Sequence, residues 1–166
     1  MKVFRNLVFF LIGTLLMSLA GCGGGGDDPQ PTIAEQQFEK LSGVTWTVNQ
    51  VTRDGNTVTD EFVNSDANPP TRFTITFFGD LNADKTNVIG SYTTNDLGGE
   101  VFPSGNWSFS ENSINSLMIR IVNSTQYPTQ YSVSDTDLQL SFTYSATGGR
   151  TQILDGDYTF SLNAPQ

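Results

Sequence analysis

A clear strand pattern in the chain is Thr71-Arg72-Phe73-Thr74-Ile75-Thr76-Phe77-Phe78. Apolar side chains at positions 73, 75 and 77 alternate with polar side chains at positions 72, 74 and 76. Successive side chains of a β-strand point to opposite faces of its sheet, so this pattern is typical of an antiparallel sheet with one buried and one solvent-facing side. The stretch therefore predicts a strand over residues 71–78.

The same period of two recurs along the chain, and polar turns separate the repeats. Strands are predicted over residues 44–53, 57–62, 71–78, 87–94, 105–110, 117–123, 130–134, 138–145 and 157–162, with a short strand or a bend at 151–154. Residues 54–56 and 146–149 have compositions typical of hairpin turns. In residues 117–122 the predicted apolar face carries Leu117, Ile119 and Ile121, and the opposite face carries Met118, Arg120 and Val122.

The order of these strands predicts an all-β domain. Eight or nine sequential strands without a long crossover favour an antiparallel up-and-down meander. A meander of this length exposes two edges unless it curls and closes on itself. We therefore expect a barrel or a strongly curved sheet, with a β-sandwich as the alternative.

Composition excludes several classes of function. The chain has 166 residues, about one domain's worth, with no His, one Cys and a formal charge of −9. Without His there is no Ser-His-Asp triad, His-ligated zinc or histidine switch, and one Cys allows neither an internal disulfide nor a thiolate cage. The acidic charge argues against nucleic acid as a partner. No catalysis and no cofactor are expected.

Residues 1–21 have the features of a secretory signal peptide. Lys2 and Arg5 form a basic start, and an uncharged apolar run follows over residues 7–20. That run is shorter than the ~18 residues that a helix needs to span a bilayer.

The end of this segment carries the most specific motif. Leu19-Ala20-Gly21-Cys22 resembles the lipobox of bacterial lipoproteins. The resemblance implies cleavage between Gly21 and Cys22, a diacylglycerol on the Cys22 thiol and a further acyl chain, such as palmitate, on its amine. Two or more acyl chains anchor a protein stably, so the membrane is the expected partner of Cys22.

Residues 22–31 are predicted to be a flexible acidic tether. Four glycines, two aspartates and two prolines leave no large apolar side chain to bury. The Asp27-Asp28 pair after Cys22 resembles the surface-export signal of Bacteroidetes-type lipoproteins. It implies an outer-membrane location facing the cell surface, with the periplasmic face of that membrane as the alternative.

Residues 32–166 form the predicted barrel domain. Thr32 and Glu35 fit a capping box for a short helix, in which Ile33, Phe38 and Leu41 supply the apolar side and after which Gly43 is a natural stop. The stretch from Leu41 to Val48, with Gly43 and Trp46, resembles the opening of lipocalin-like domains, in which the Trp plugs one end of the barrel. Together with Cys22, the chain resembles a lipocalin-like lipoprotein of Bacteroidetes type. Residues proposed to plug the barrel or to line a cavity are Trp46, Trp107, Tyr158 and Phe160.

Two patterns invite a chemical interpretation. Asp80, Asn82 and Asp84 have the spacing of a calcium loop, but Lys85 and Ser91 stand where such a loop needs Gly and Glu, so a polar hairpin without a high-affinity metal site is predicted. Paired carboxylates close together in the sequence could suggest a glycosidase, although acidic residues are also common at turns. The pairs are Asp60 with Glu61, Asp135 with Asp137, and Asp155 with Asp157.

Three hypotheses on function follow. The first is a non-catalytic envelope module that binds a small hydrophobic ligand, a glycan or an envelope protein. The second is a structural or assembly accessory whose barrel is filled. The third, the least favoured, is a hydrolase acting on glycans. The interior of the barrel discriminates between the first two, because a carrier needs an open cavity.

Overall fold

The computed structural model describes residues 30–145 and 154–165. The predicted signal peptide, Cys22 and nearly all of the tether lie outside the described residues, as do the predicted turn at 146–149 and most of the segment 151–154. Within the described part of the chain, no helix is long and apolar enough to cross a membrane.

One helix and eleven strands make up the described fold. In chain order they are α1 (Ile33–Leu41), β1 (Thr45–Arg53), β2 (Asn56–Thr57), β3 (Val63–Asn64), β4 (Thr71–Arg72), β5 (Thr74–Leu81), β6 (Val88–Thr94), β7 (Gly105–Phe109), β8 (Leu117–Val122), β9 (Thr125–Val133), β10 (Asp137–Tyr144) and β11 (Gly156–Asn163). Two short 3-10 turns cover Thr59–Phe62 and Asp96–Gly98.

Eight of the strands form a closed antiparallel barrel, as predicted. β1 and β5 to β11 follow one another around the wall, β2 extends the sheet beside β1, and β11 pairs with β1 to close the ring. Leu162 of β11 lies opposite both Leu138 of β10 and Val48 of β1. The closure leaves no pair of free sheet edges in the main ring, and the β-sandwich alternative is therefore wrong.

The helix α1 begins at the predicted capping box. The Thr32 amide donates to Glu35 Oε2 at 2.7 Å, and the Glu35 amide donates to Thr32 Oγ1 at 3.1 Å. The predicted apolar side of the helix is partly wrong, because Ile33 is 56% exposed whereas Ala34 and Leu41 are buried. Gly43 follows the helix with φ +75°, a conformation that costs little without a Cβ.

The predicted strand at residues 57–62 is wrong beyond its first residue. The strand ends at Thr57, and Thr59–Phe62 turns into a short 3-10 helix. This turn directs the Phe62 ring into the barrel, where it lies edge-on to Phe160 with centroids 4.9 Å apart. Burial of this ring favours the turn over continued strand pairing.

The predicted faces of β8 are reversed. Met118 and Arg120 are buried, at 0% and 1% exposure, while the three aliphatic residues of the other parity lie on the outer face and are half-buried. The register with β7 explains this, because Arg120 lies opposite Trp107 and Met118 lies opposite Phe109. Residues directly opposite in an antiparallel pair share a face, so both β8 side chains must follow the two inward aromatic rings.

Candidate functional site

Aromatic side chains fill the interior of the barrel. Phe102 is representative, because its ring centroid lies 5.2 Å from that of Phe142, 5.4 Å from Phe160 and 5.6 Å from Phe73. An eight-stranded barrel is just wide enough for side chains to fill its interior. The largest fully buried rings are Trp46, Trp107, Tyr92, Tyr158, Phe73, Phe77, Phe102, Phe109 and Phe160.

Trp46 lies in this core beside the helix that precedes it. Its side chain is 0% exposed, and its indole N–H points to the backbone oxygen of Leu41 at a long 3.4 Å. The alternation in β1 also buries Val48 and exposes Thr45. The large ring thus ties the C-terminal end of α1 to the start of the first strand.

The other three aromatic candidates also lie in the core. The Trp107 indole donates to the backbone oxygen of Phe78 at 3.0 Å, and its ring occupies the space where a Cβ on Gly90 would clash at 2.4 Å. The Tyr158 hydroxyl donates to Leu154 O at 2.8 Å, and Phe160 is 0% exposed. These side chains support the wall of a filled barrel.

Arg120 is the unexpected member of the interior. Its guanidinium carbon lies 4.0 Å from the ring centroid of Phe102 and 4.2 Å from that of Phe142. Its Nε donates to Thr129 Oγ1 at 2.7 Å. Sequence reasoning missed this site because the aliphatic parity of β8 suggested the opposite face for Arg120.

The charge of Arg120 has no carboxylate to balance it within the described residues. The ion pairs there join Arg53 to Glu61 and Lys85 to Glu35. Burial lowers the pKa of Arg120 from its ordinary value, although a guanidinium remains protonated in proteins. The electron-rich faces of the neighbouring rings stabilise the cation, typically by about 2 kcal/mol at a desolvated site.

A small cavity of about 20 Å³ adjoins the guanidinium. It is lined by Glu100, Val101, Pro103, Arg120, Val122, Tyr127 and Tyr144. Burial lowers the pKa of the Arg120 guanidinium, whereas its interaction with the buried Tyr92 hydroxyl raises that pKa. A cavity of this size holds about one water molecule or one atom-sized ion.

Arg120 lies where the barrel wall is incompletely paired. The pairing of β9 with β10 extends only from Val133 to Gln130, although β9 begins at Thr125. Pro128 lies in the part of β9 that pairs with β8 alone and carries no N–H to leave unsatisfied. Arg120 contacts Thr129 of β9 and Phe142 of β10, so it bridges these two strands from the inside where their pairing is incomplete.

The outer face of β8 to β11 is polar and grooved. Three shallow grooves there have volumes of about 400, 370 and 590 Å³. Their lining is mostly hydroxyl and amide side chains, namely Ser113, Ser116, Gln130, Ser132, Gln139, Ser141, Thr143, Thr159, Ser161 and Asn163. These grooves present hydrogen-bonding groups without an exposed aromatic platform in the described lining.

A contrasting apolar patch, Phe78 with Ile89, lies on the outer face of β5 and β6. Ile89 is 81% exposed and Phe78 is 45% exposed. Phe78 lies opposite Ser91 and Ile89 lies opposite Asp80, so the two apolar side chains are diagonal neighbours on one face. Exposed apolar patches commonly mark interaction surfaces.

The loop with calcium-like spacing contacts helix α1 through an ion pair. Asp80 belongs to β5, and Asn82 Oδ1 accepts the amide hydrogens of Thr86 and Asn87 at 2.8 and 3.0 Å. Lys85 Nζ lies 2.7 Å from Glu35 Oε1 in α1. Among the described residues no group of three His, Cys, Asp or Glu side chains could hold a metal ion, and Asp84 joins no such group.

We expect calcium to bind this loop more weakly than a dissociation constant of ~10⁻⁵ M, the range of sensor loops. Lys85 places a positive charge there, and the Asn82 carbonyl oxygen is occupied by backbone donors. Titration calorimetry of the protein with calcium measures this. Tighter binding that Asp80→Asn and Asp84→Asn abolish would contradict the prediction.

The carboxylate pairs are engaged in local contacts. Glu61 pairs with Arg53 at 3.5 Å, Asp137 Oδ1 accepts from Asn163 at 2.9 Å, and Asp157 Oδ1 accepts from Thr143 at 2.6 Å. These hydrogen bonds lie at strand ends and support pairing between neighbouring strands. These contacts do not support glycoside hydrolysis, which requires two carboxylates that face each other across a substrate.

Comparison with known proteins gives no match: no protein-family model, curated protein or solved structure matches the chain. The lipobox and lipocalin-like resemblances therefore stay predictions, supported by the residues that carry them. The barrel itself follows from the strand pairings.

Proposed function

We propose that the chain is a non-catalytic interaction module of the bacterial cell envelope, held at the outer membrane by lipid on Cys22. Its barrel is a rigid scaffold, and an envelope protein binds to its outer surface. The observation that carries the proposal is the filled interior, which Phe102 and its neighbours occupy. The proposal combines the interaction module of the first sequence hypothesis with the filled core of the second.

The volumes of the cavities support outer-surface binding. Pockets for small molecules usually measure ~300–1,000 Å³ and enclose most of the ligand. The cavity beside Arg120 is about 20 Å³, whereas the grooves of comparable size to a ligand pocket lie on the outer face of β8 to β11. A carrier of hydrophobic ligands would need the space that the aromatic core occupies.

The composition of residues 22–31 supports a role at a membrane surface. The segment is rich in Gly and Asp, which predicts a tether between the lipid on Cys22 and the barrel domain. Anionic lipid repels an acidic protein, so the lipid on Cys22, and not adsorption of the domain, is expected to hold the protein at the membrane.

Site-specific photo-crosslinking in cells tests the proposal. We expect a photoreactive side chain at Ile89 to give one discrete product with an envelope protein, because this apolar side chain is 81% exposed. The same group at Asn56, an exposed position of β2, is the matched control and is expected to give little product.

A ligand-binding experiment tests the alternative, in which the barrel carries a hydrophobic ligand. The wild-type protein is titrated with a fluorescent fatty acid, and no saturable binding is expected, because the barrel core is occupied by side chains. Saturable binding at one site, combined with no discrete crosslink at Ile89, would favour a carrier and contradict the proposal.

A further inference from the structure

The buried charge of Arg120 points to an ion-binding site that goes beyond the proposed function. The side chain is 1% exposed, and no carboxylate of the described residues forms an ion pair with it. We propose that Arg120 binds a small monovalent anion of halide size, such as chloride, in the adjoining cavity.

The unbalanced charge of Arg120 favours a bound anion. Burying an isolated ion costs several kcal/mol even after the protein relaxes, and buried charges in proteins are normally paired. The faces of Phe102 and Phe142, at 4.0 and 4.2 Å, offset part of that cost but carry no net charge. A bound anion would neutralise the guanidinium inside the barrel.

The guanidinium keeps hydrogen-bonding capacity for an anion. A guanidinium presents several N–H donors, and Nε of Arg120 donates to Thr129 Oγ1. The Tyr92 hydroxyl, which interacts with the guanidinium, is neutral and therefore leaves the positive charge of Arg120 unbalanced.

The size of the cavity selects a small ion. The cavity of about 20 Å³ accommodates a water molecule or a monatomic anion but not a sulfate, a phosphate or a ligand carboxylate. Glu100 also lines the cavity and is exposed, so its negative charge opposes the anion and weakens binding.

Thermal unfolding of the full chain tests the site with halide salts. The protein is prepared in sodium gluconate, which is then replaced by sodium chloride or bromide at constant ionic strength. A ligand that binds only the folded state raises the unfolding temperature, so a saturable rise is expected with either halide but not with sulfate. An equal unfolding temperature in halide and gluconate would overturn the proposal.

Two variants assign the effect to the site. Arg120→Met, which replaces the cation by an apolar chain of similar shape, is expected to remove the halide dependence. Glu100→Gln removes the opposing negative charge from the cavity lining and is expected to lower the half-saturating halide concentration several-fold. If Arg120→Met does not fold, Glu100→Gln still decides, and an unchanged half-saturating concentration in that variant contradicts the site.

Crystals grown with bromide give the direct observation. An anomalous peak in the cavity beside Arg120 is expected for the wild-type protein and absent for Arg120→Met. A water in the cavity of bromide-grown crystals, or a Glu100 carboxylate turned inward to pair with Arg120, would overturn the proposal.

Discussion

Replacing Trp46 with alanine is expected to lower the free energy of unfolding by about 3–5 kcal/mol, the usual cost of removing a large buried aromatic side chain. The indole is 0% exposed, and its N–H points to the backbone oxygen of Leu41, the last residue of α1. The variant loses apolar contacts at the start of β1 and leaves a cavity between the strand and the helix. Denaturant unfolding followed by circular dichroism measures the change.

Two comparisons show whether Trp46 acts through packing. Trp46→Phe keeps a large apolar ring and is expected to lose much less stability. Thr45→Ala alters the exposed neighbour on the same strand and is expected to change the free energy of unfolding by less than about 1 kcal/mol. A Trp46→Ala protein of full stability that has lost binding of a glycan or a lipid would show that Trp46 belongs to a binding site.

Replacing Cys22 with alanine is expected to remove the protein from the membrane fraction or to leave it as an uncleaved precursor. Cys22 is the only cysteine of the chain and ends the lipobox-like Leu19-Ala20-Gly21-Cys22. Without the thiol no diacylglycerol can be attached, and stable anchoring needs two or more acyl chains. Cell fractionation and mass spectrometry of the mature N-terminus measure the outcome.

The acidic residues of the tether provide the matched control for Cys22. Asp27→Asn with Asp28→Asn leaves the lipobox unchanged, so this variant is expected to remain in the membrane fraction. If protease added to intact cells digests the wild-type protein but not this variant, the two aspartates are needed for surface export and not for anchoring. A Cys22→Ala protein that is correctly cleaved and fully membrane-bound would contradict the lipoprotein assignment.

The sequence predicted most of the strands because their signals are local. Alternation in residues 71–78 and 138–145, and the capping box of Thr32 and Glu35, depend on neighbours within a few positions. The structure confirms the strand at 138–145, the capping box and the closed barrel that they favoured. It divides the predicted strand at 71–78 at Phe73, because Thr71–Arg72 pairs with β3 whereas β5 begins at Thr74. The site around Arg120 could not be predicted in this way, because the residues that enclose it come from β6, β8, β9, β10 and the segment before β7.

The buried face of β8 could not be predicted from alternation within the strand. Both parities of residues 117–122 contain apolar side chains, so alternation alone does not decide which face is buried. The structure places Arg120 inside because Trp107, opposite it on β7, already faces the core. A cation can occupy that position because Phe102 and Phe142 enclose it.

Local sequence signals were sufficient to predict the all-β class, the capped helix and most strand positions, and they include the motif at Cys22. Tertiary structure decided that the barrel is filled, because Phe62 and Phe102 enter it from segments between strands, where no periodicity signals an inward side chain. It also decided that Arg120 is buried. The physical reason is that alternation and capping depend on neighbouring residues, whereas the burial of a given face depends on strand register and on which rings share the interior.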